Sequence, residues 1–373
     1  LKTYDVIIVG GGVIGCSAAY FLSRKGYKVL LLEKGKVGDK ASKAAAGMLG
    51  AQVEVTEEGP LFEMAKESRA MFPSLQYELK EHSGIDFELV QRGMLKLAMN
   101  EEEAEKIKNI VKFQQKLGER AEWLTMEQVQ ARENHLSNSF VGGMDIPSDG
   151  HVNPVKLTHA FLQASKVFGA EIMEYVEVIS ILKQGERVVG LSTSVGDFYG
   201  DSVVVAAGAW SKQLIREYET PIDAYPVKGE CFSVVTNEPL LESTIFSEQC
   251  YLVPKSGNRL IVGATMLPNT FSEHVTLGGI STLMKEAINI LPKIKQATFE
   301  KAWSGIRPQT GDGLPYLGKH PETKNLIIAS GHYRNGILLA PLTGKLVTSM
   351  ISGDSLPNYI DAFSLDRTLE KDR

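Results

Sequence analysis

Residues 4–9, Tyr-Asp-Val-Ile-Ile-Val, have the apolar pattern of a strand buried on both faces. A glycine-rich turn, Gly10-Gly11-Gly12-Val13-Ile14-Gly15, follows it. Next come a helical segment to about residue 25 and a second apolar strand over 28–32. Together these predict one β-turn-α-β unit. Segments 60–82 and 100–117 carry charge on one face and apolar residues on the other, as amphipathic helices do. Asn153-Pro154 opens a further helix, with Asn as N-cap and Pro in the first helical position. That helix runs to Gly169, and apolar alternation near 171–182, 188–195 and 201–207 predicts strands.

From Pro226 the pattern changes to strand and turn, with strands over 231–235, 249–253 and 259–265 and a hairpin turn at Lys255-Ser-Gly-Asn258. A helix is expected over about 279–291 and a buried strand over 326–329, with a last helix from about Gly336. Nucleotide-type elements at both ends, with strand-rich sequence between, imply a mixed α/β chain that leaves one domain and re-enters it. The expected division is 1–85, 141–220 and 306–373 for a Rossmann-like nucleotide domain. Residues 86–140 and 221–305 then form an inserted antiparallel-sheet substrate domain.

The turn after the first strand has its chemistry in order. Gly10 allows the tight turn, Gly12 lets backbone approach a pyrophosphate, and Gly15 lets helix and strand pack closely. The helix N-terminus offers free N–H groups and a positive dipole end to phosphate. Glu33 stands eighteen positions beyond Gly15, at the end of the second strand. It can accept hydrogen bonds from ribose hydroxyls, and its charge would repel a 2′-phosphate. These features predict dinucleotide binding without choosing between FAD and NAD.

Composition narrows the classes. The chain has 373 residues, enough for two domains, with 43 % hydrophobic and 23 % charged residues and a formal net charge of −5. It has no basic run, which argues against nucleic acid. The longest apolar run, residues 203–210, is far short of the roughly 18 residues a spanning helix needs. The N-terminus reads as a strand and not a signal peptide. Three cysteines, Cys16, Cys231 and Cys250, lie far apart without CxxC spacing, which fits a reducing cytoplasm. The seven histidines form no HExxH or Cys/His cluster, so no metal is expected.

Longer patterns go further. The run from Gly10 through Ala19, Leu22, Gly26, Val29 and Leu32 to Glu33 resembles the glutathione-reductase-type FAD families. So do the small-residue stretch Ala41-Ser-Lys-Ala-Ala-Ala-Gly-Met48 and the strand Val203-Val-Val-Ala-Ala-Gly-Ala-Trp210. Two C-terminal segments are Trp303-Ser-Gly-Ile-Arg-Pro-Gln-Thr-Gly-Asp-Gly-Leu-Pro-Tyr316 and Gly331-His-Tyr-Arg-Asn-Gly-Ile-Leu-Leu-Ala-Pro-Leu-Thr-Gly344. They resemble signatures of the glycine oxidases in the D-amino-acid-oxidase family. Pro226-Val-Lys-Gly-Glu-Cys231, Cys250-Tyr-Leu-Val-Pro254 and Val262-Gly-Ala-Thr-Met266 also match, in family order, so the resemblance covers nearly the whole chain.

The resemblance implies FAD and roles for individual residues. Arg307 presents a planar fork suited to a carboxylate, in the family position that binds the substrate carboxylate. An Arg between Ile and Pro could equally pin a loop through a salt bridge. Tyr251 matches a tyrosine whose hydroxyl reaches that carboxylate, although strand tyrosines are often simply core. Arg334 matches a contact to both flavin and substrate, and Met266 a pocket wall. Family FAD contacts fall on Val13, Ile14, Lys34, Ala41, Ser42, Ala46, Gly47, Met48 and Val178. They fall also on His332, Tyr333, Arg334, Asn335, Gly336, Ile337 and Leu338, where a helix N-terminus would favour negative charge on the reduced flavin.

The implied reaction is hydride transfer from the substrate Cα to flavin N5. The imine then hydrolyses to a 2-oxo acid and ammonia or an amine, and dioxygen returns as hydrogen peroxide. No general base is expected. The cofactor is expected to be non-covalent, since no cysteine lies beyond Cys250. Glycine, sarcosine and small D-amino acids are the candidate substrates, with a D-amino-acid dehydrogenase or a non-catalytic flavoprotein as alternatives. By the same resemblance the product would feed thiazole synthesis for thiamin, and the assembly would be a homotetramer.

Overall fold

A computed structural model describes residues 3–216, 218 and 222–367. Its first sheet has eight strands. The central strand β1 (Thr3–Val9) leads through α1 (Val13–Arg24) into β2 (Val29–Leu32), which lies parallel beside it. On the other side β1 pairs in parallel with Gly196–Val205, which pairs in parallel with Leu326–Ser330. The residues of β1 alternate between two cores: Val6 and Ile8 face one, Ile7 and Val9 the other. Each is nearly or wholly buried. At about 1.5–3 kcal/mol per fully buried aliphatic side chain, such a strand is held from both faces. On the first face α1 packs against the final helix Gly336–Ser352 and against Pro154–Val167, with Pro60–Ser83 beyond. The other face carries the hairpin of Val178–Gln184 and Arg187–Thr193.

The second sheet has nine strands and is mostly antiparallel. Its spine is Ala224–Val235, paired along its whole length with Thr298–Thr310. Apolar alternation alone points only to residues 231–235 of the first of these and to no strand over 298–310. The second strand starts Thr-Phe-Glu-Lys with all four residues exposed, and continues through Ser-Gly and Arg-Pro. Its partner's backbone, rather than a hydrophobic face, holds it in the sheet.

Met94–Ala98, Glu122–Thr125 and Gly142–Ile146 extend this sheet at its far side. The ladder therefore carries residues 142–146 and 306–310 with the second sheet, a few residues past the expected boundaries at 141 and 306. A hydrogen-bonded register does not stop where composition changes. The helix Leu277–Ile290 closes one face, burying Ile280, Leu283, Ala287 and Ile290. Among the described residues no helix is long and apolar enough to cross a membrane.

Candidate active site

The site has two ends, and the first is made almost entirely of backbone. Gly10 sits at φ +107°, and a Cβ there would lie 2.5 Å from the Ala206 carbonyl oxygen. A Cβ on Gly15 would lie 1.9 Å from the Gly10 oxygen, so the helix packs this closely on the turn only because Gly15 has no side chain. Gly12 differs: its Cβ would meet only the Ser42 hydroxyl at 3.4 Å, leaving this backbone open on one side. The Ser42 Oγ accepts the Val13 N–H at 2.9 Å. Gly12, the N-cap, has no side chain to take another amide.

Glu33 is fixed by its own neighbours. One oxygen accepts the Gly11 N–H at 2.7 Å and the other the Gly35 N–H at 2.8 Å. A carboxylate has acceptor capacity left after two such bonds. The open amide turn and the acid at the end of β2 fit the pyrophosphate and ribose of a dinucleotide. Lys34 points its charge to solvent and pairs with Glu177 at 2.6 Å. The segment is tied down by Val176, whose N–H reaches the Glu33 carbonyl at 2.9 Å. Val178, expected as a FAD contact, starts the strand Val178–Gln184 and packs half-buried against the core on the other face of the first sheet.

The second end is a narrow cleft between the two sheets. Ala41, Ala44, Ala45, Ala46, Gly47 and Met48 form one wall, and Gly229, Cys231, Tyr251, Gly305 and Arg307 the other. The walls meet closely: Trp303 Nε1 donates to the Ala44 carbonyl at 3.0 Å, and a Cβ on Gly305 would come within 2.4 Å of the Ala44 Cβ. Small residues therefore leave a flat slot, and its lining suits a planar ring.

Tyr333, Arg334 and Ile337 close the third side, from a 3-10 turn (Tyr333–Asn335) that runs into the final helix. That helix starts at Gly336, and the Asn335 side chain does not cap it. His332 lies behind the turn and is buried, with Nε2 3.1 Å from Thr343 Oγ1. Burial pushes its pKa down to about 4, so it is neutral at pH 7. Leu338 turns its side chain into the core, and its carbonyl accepts the Ser68 hydroxyl at 2.6 Å. Only its backbone could serve a ligand. Met266, expected as a pocket wall, is 57 % exposed beside the cleft, where Tyr333 donates its hydroxyl to the Met266 sulfur at 3.4 Å. Met266 lies between the strand that ends at Gly263 and the short strand Leu267–Pro268.

The two arginines are used differently. Arg307 lies across Gly229, where any Cβ would sit 2.2 Å from its Nη1. Its one protein hydrogen bond among the described residues runs from Nη1 to the Thr265 carbonyl at 3.2 Å, and it makes no ion pair. A loop-pinning salt bridge is therefore absent there. Arg334 is fully engaged: Nε donates to both Glu54 oxygens at 3.0 and 2.9 Å, and Nη2 to Oε1 at 2.7 Å. Burial pulls this guanidinium down, but the Glu54 carboxylate outweighs it and holds the cation well above its ordinary range.

Tyr251 is buried with its hydroxyl 3.5 Å from Cys231 Sγ, over Gly263, where a Cβ would lie 2.5 Å from that hydroxyl. Burial drives its phenol up, so it stays a neutral hydroxyl donor. Reading the sequence missed Glu54. It closes the four-residue helix Ala51–Glu54, and its only signal is an acid shortly after the Ala41–Met48 stretch.

An open amide turn, an acid at the end of β2 and a flat slot lined by small residues fit a flavin-dependent oxidoreductase. The chain belongs to the DAO family, FAD dependent oxidoreductases, whose sequence model matches residues 5–350. It is 45 % identical over 370 residues to the glycine oxidase of Geobacillus kaustophilus, covering 99 % of this chain and 98 % of that one. The crystal structure of a Geobacillus kaustophilus glycine oxidase superposes with a TM-score of 0.96, covering 98 % of this chain and 99 % of the other. A bifunctional ThiO/ThiG protein of Synechocystis is 35 % identical over 98 % of this chain, which spans 54 % of that protein. The cofactor is FAD.

Proposed function

We propose that this enzyme oxidises glycine and other small amino acids or N-methyl amino acids, with dioxygen as electron acceptor. The observation that carries this reading is the half-buried, ion-pair-free guanidinium of Arg307, held over Gly229 beside the Tyr251 hydroxyl. An arginine fork without a carboxylate partner, at the end of a slot walled by alanines, is a receptor for a small carboxylate. The likeness to glycine oxidases supports glycine as the amine.

When bound, FAD supplies the acceptor for the hydride leaving the substrate Cα. The chain's own residues bind and orient. Arg307 and Tyr251 grip the carboxylate, and the small-residue wall leaves the slot open for the ring. The uncapped start of the final helix favours negative charge developing in the slot. No residue is needed as general base, and His332 is unsuited, being buried, neutral and bonded to Thr343. The substrate therefore has to arrive with a neutral amine.

The test is anaerobic addition of glycine to the yellow holoenzyme, beside sarcosine and D-alanine. Bleaching by glycine, with peroxide release on re-aeration, supports the reading. Bound colour unaffected by all three amines would defeat it. FAD is held without a covalent bond, so acid precipitation should leave all yellow colour in the supernatant; colour in the washed pellet contradicts this. The likeness to a ThiO/ThiG protein favours a role in thiazole synthesis for thiamin, the three unpaired cysteines favour the cytoplasm, and the resemblance to glycine oxidases favours a tetramer.

A further inference from the structure

Glu54 stands where a receptor for anions has no evident use for a carboxylate. It lines the same cleft as Arg307 and Arg334. Both guanidiniums are close enough to pull on the Cys231 thiol and the Tyr251 phenol, so they face one small volume. One is free and the other is tied by three hydrogen bonds to Glu54.

The position of Glu54 is itself built. Asp149, fully buried, accepts the N–H groups of Gln52 and Val53 at 3.0 and 2.9 Å, which fastens the short helix that carries Glu54. Arg69 Nη1 reaches Asp149 at 2.6 Å and Gln52 Oε1 at 2.8 Å, and its Nη2 reaches Glu119 at 2.9 Å. Lys96 Nζ donates to the Val53 carbonyl at 2.9 Å. Lys96 and Arg334 approach the Phe246 ring at 5.7 and 5.6 Å, so the cations are spaced by that ring with Glu54 among them. A side chain fixed from this many directions is not there by default, because each bond costs conformational freedom to maintain.

We infer that Glu54 determines specificity. By engaging Arg334 it leaves Arg307 as the one free guanidinium in the cleft, and so selects amino acids with one carboxylate over those with two. Asp149 and Arg69 are positioning residues that keep Glu54 in place. A second carboxylate entering the cleft meets the Glu54 charge. To reach Arg334 it must displace a bidentate pair and leave Glu54 unpartnered in a shielded site. An amino acid with one carboxylate meets no such barrier, because Arg307 alone suffices. This inference rests on the proposed carboxylate-binding role of the cleft.

The experiment compares binding of acetate and malonate to the holoenzyme at constant ionic strength, by calorimetry and by perturbation of the bound FAD absorption band. Glu54→Gln removes the charge at constant shape. It should raise the malonate-to-acetate affinity ratio by about tenfold or more, equivalent to about 1.4 kcal/mol. Glu54→Gln with Arg334→Gln should return the ratio to the parental value, because the released cation is gone. Arg334→Gln alone leaves Glu54 uncompensated and should lower the ratio. Asp149→Asn should shift it in the Glu54→Gln direction by a smaller factor.

A ratio unchanged within about twofold in Glu54→Gln overturns the inference, as does a gain that survives removal of Arg334. If Glu54→Gln does not retain FAD, Arg334→Gln decides alone: a ratio that does not fall overturns it. Failure of the parental enzyme to bleach with glycine tests the proposed substrate instead, and leaves the anion ratio readable.

Discussion

The nucleotide end and the carboxylate end of this site are built on opposite plans. At the nucleotide end the working parts are backbone amides and absent side chains, all within residues 10–42. Gly12 is open, Gly10 and Gly15 allow contact, and Glu33 is held by the N–H groups of Gly11 and Gly35. At the carboxylate end the parts are side chains from positions 54, 251, 307 and 334, on four separate elements. Each needs a glycine or a partner elsewhere to sit correctly: Gly229 beneath Arg307, Gly263 beneath Tyr251, Glu54 against Arg334. A local site tolerates change in the remainder of the fold, whereas a dispersed one transmits it. Side-chain substitutions should therefore separate the two ends cleanly.

The largest separation is expected from Arg307→Ala. It should keep FAD and lose glycine oxidation by a factor corresponding to about 2–5 kcal/mol, the cost of removing one partner of a shielded charge pair. Arg307→Lys should recover only part, since an ammonium lacks the planar fork. Steady-state kinetics with FAD content measured alongside checks both. Near-normal turnover in Arg307→Ala would place the carboxylate elsewhere, whereas a failure to fold would make the residue structural.

Acid should act next, through the turn behind the cleft. The folded pKa of His332 is depressed to about 4, while an exposed histidine titrates near 6.5. A base depressed in the folded state contributes stability above the unfolded pKa, and that contribution is lost as pH falls from about 6.5 towards 4. The difference amounts to about 3 kcal/mol at 1.36 kcal/mol per pH unit. Urea unfolding at pH 7 and pH 4.5 should show a smaller loss in His332→Gln than in the parent. An equal loss would mean that His332 is protonated without cost in the fold.

A smaller effect belongs to the nucleotide end. Glu33→Ala should weaken FAD binding by about 1.5–3 kcal/mol, the value of hydrogen bonds to a charged group, while KM for glycine in reconstituted enzyme stays put. Titration of apoenzyme with FAD reads the first and initial rates the second. Any change in KM comparable with the loss of FAD affinity would couple the two ends. The smallest effect is expected from Met266→Ala. At the exposed mouth it should alter stability by no more than about 0.5 kcal/mol, readable as a denaturation midpoint. A loss typical of core truncation would return Met266 to the pocket wall.

Sequence alone determined whatever depends on neighbours along the chain. The β1–α1–β2 unit, the glycine turn, Glu33 and the helices at 60–83, 101–116 and 154–167 all follow from periodicity and local chemistry. The quoted C-terminal signatures led to Arg307 and Arg334, and the Cys250–Pro254 match to Tyr251, as candidates through family resemblance, and all three line one cleft. Tertiary structure alone decided how each is used. Whether an arginine is free or paired depends on which carboxylate the fold brings near it, and Glu54 lies 280 positions from Arg334 along the chain. The strand Thr298–Thr310 was illegible for a related reason: it has no apolar face of its own and exists by pairing with Ala224–Val235. Met266 and Val178 became candidates through family resemblance alone, and their exposure is set by packing that no single segment encodes.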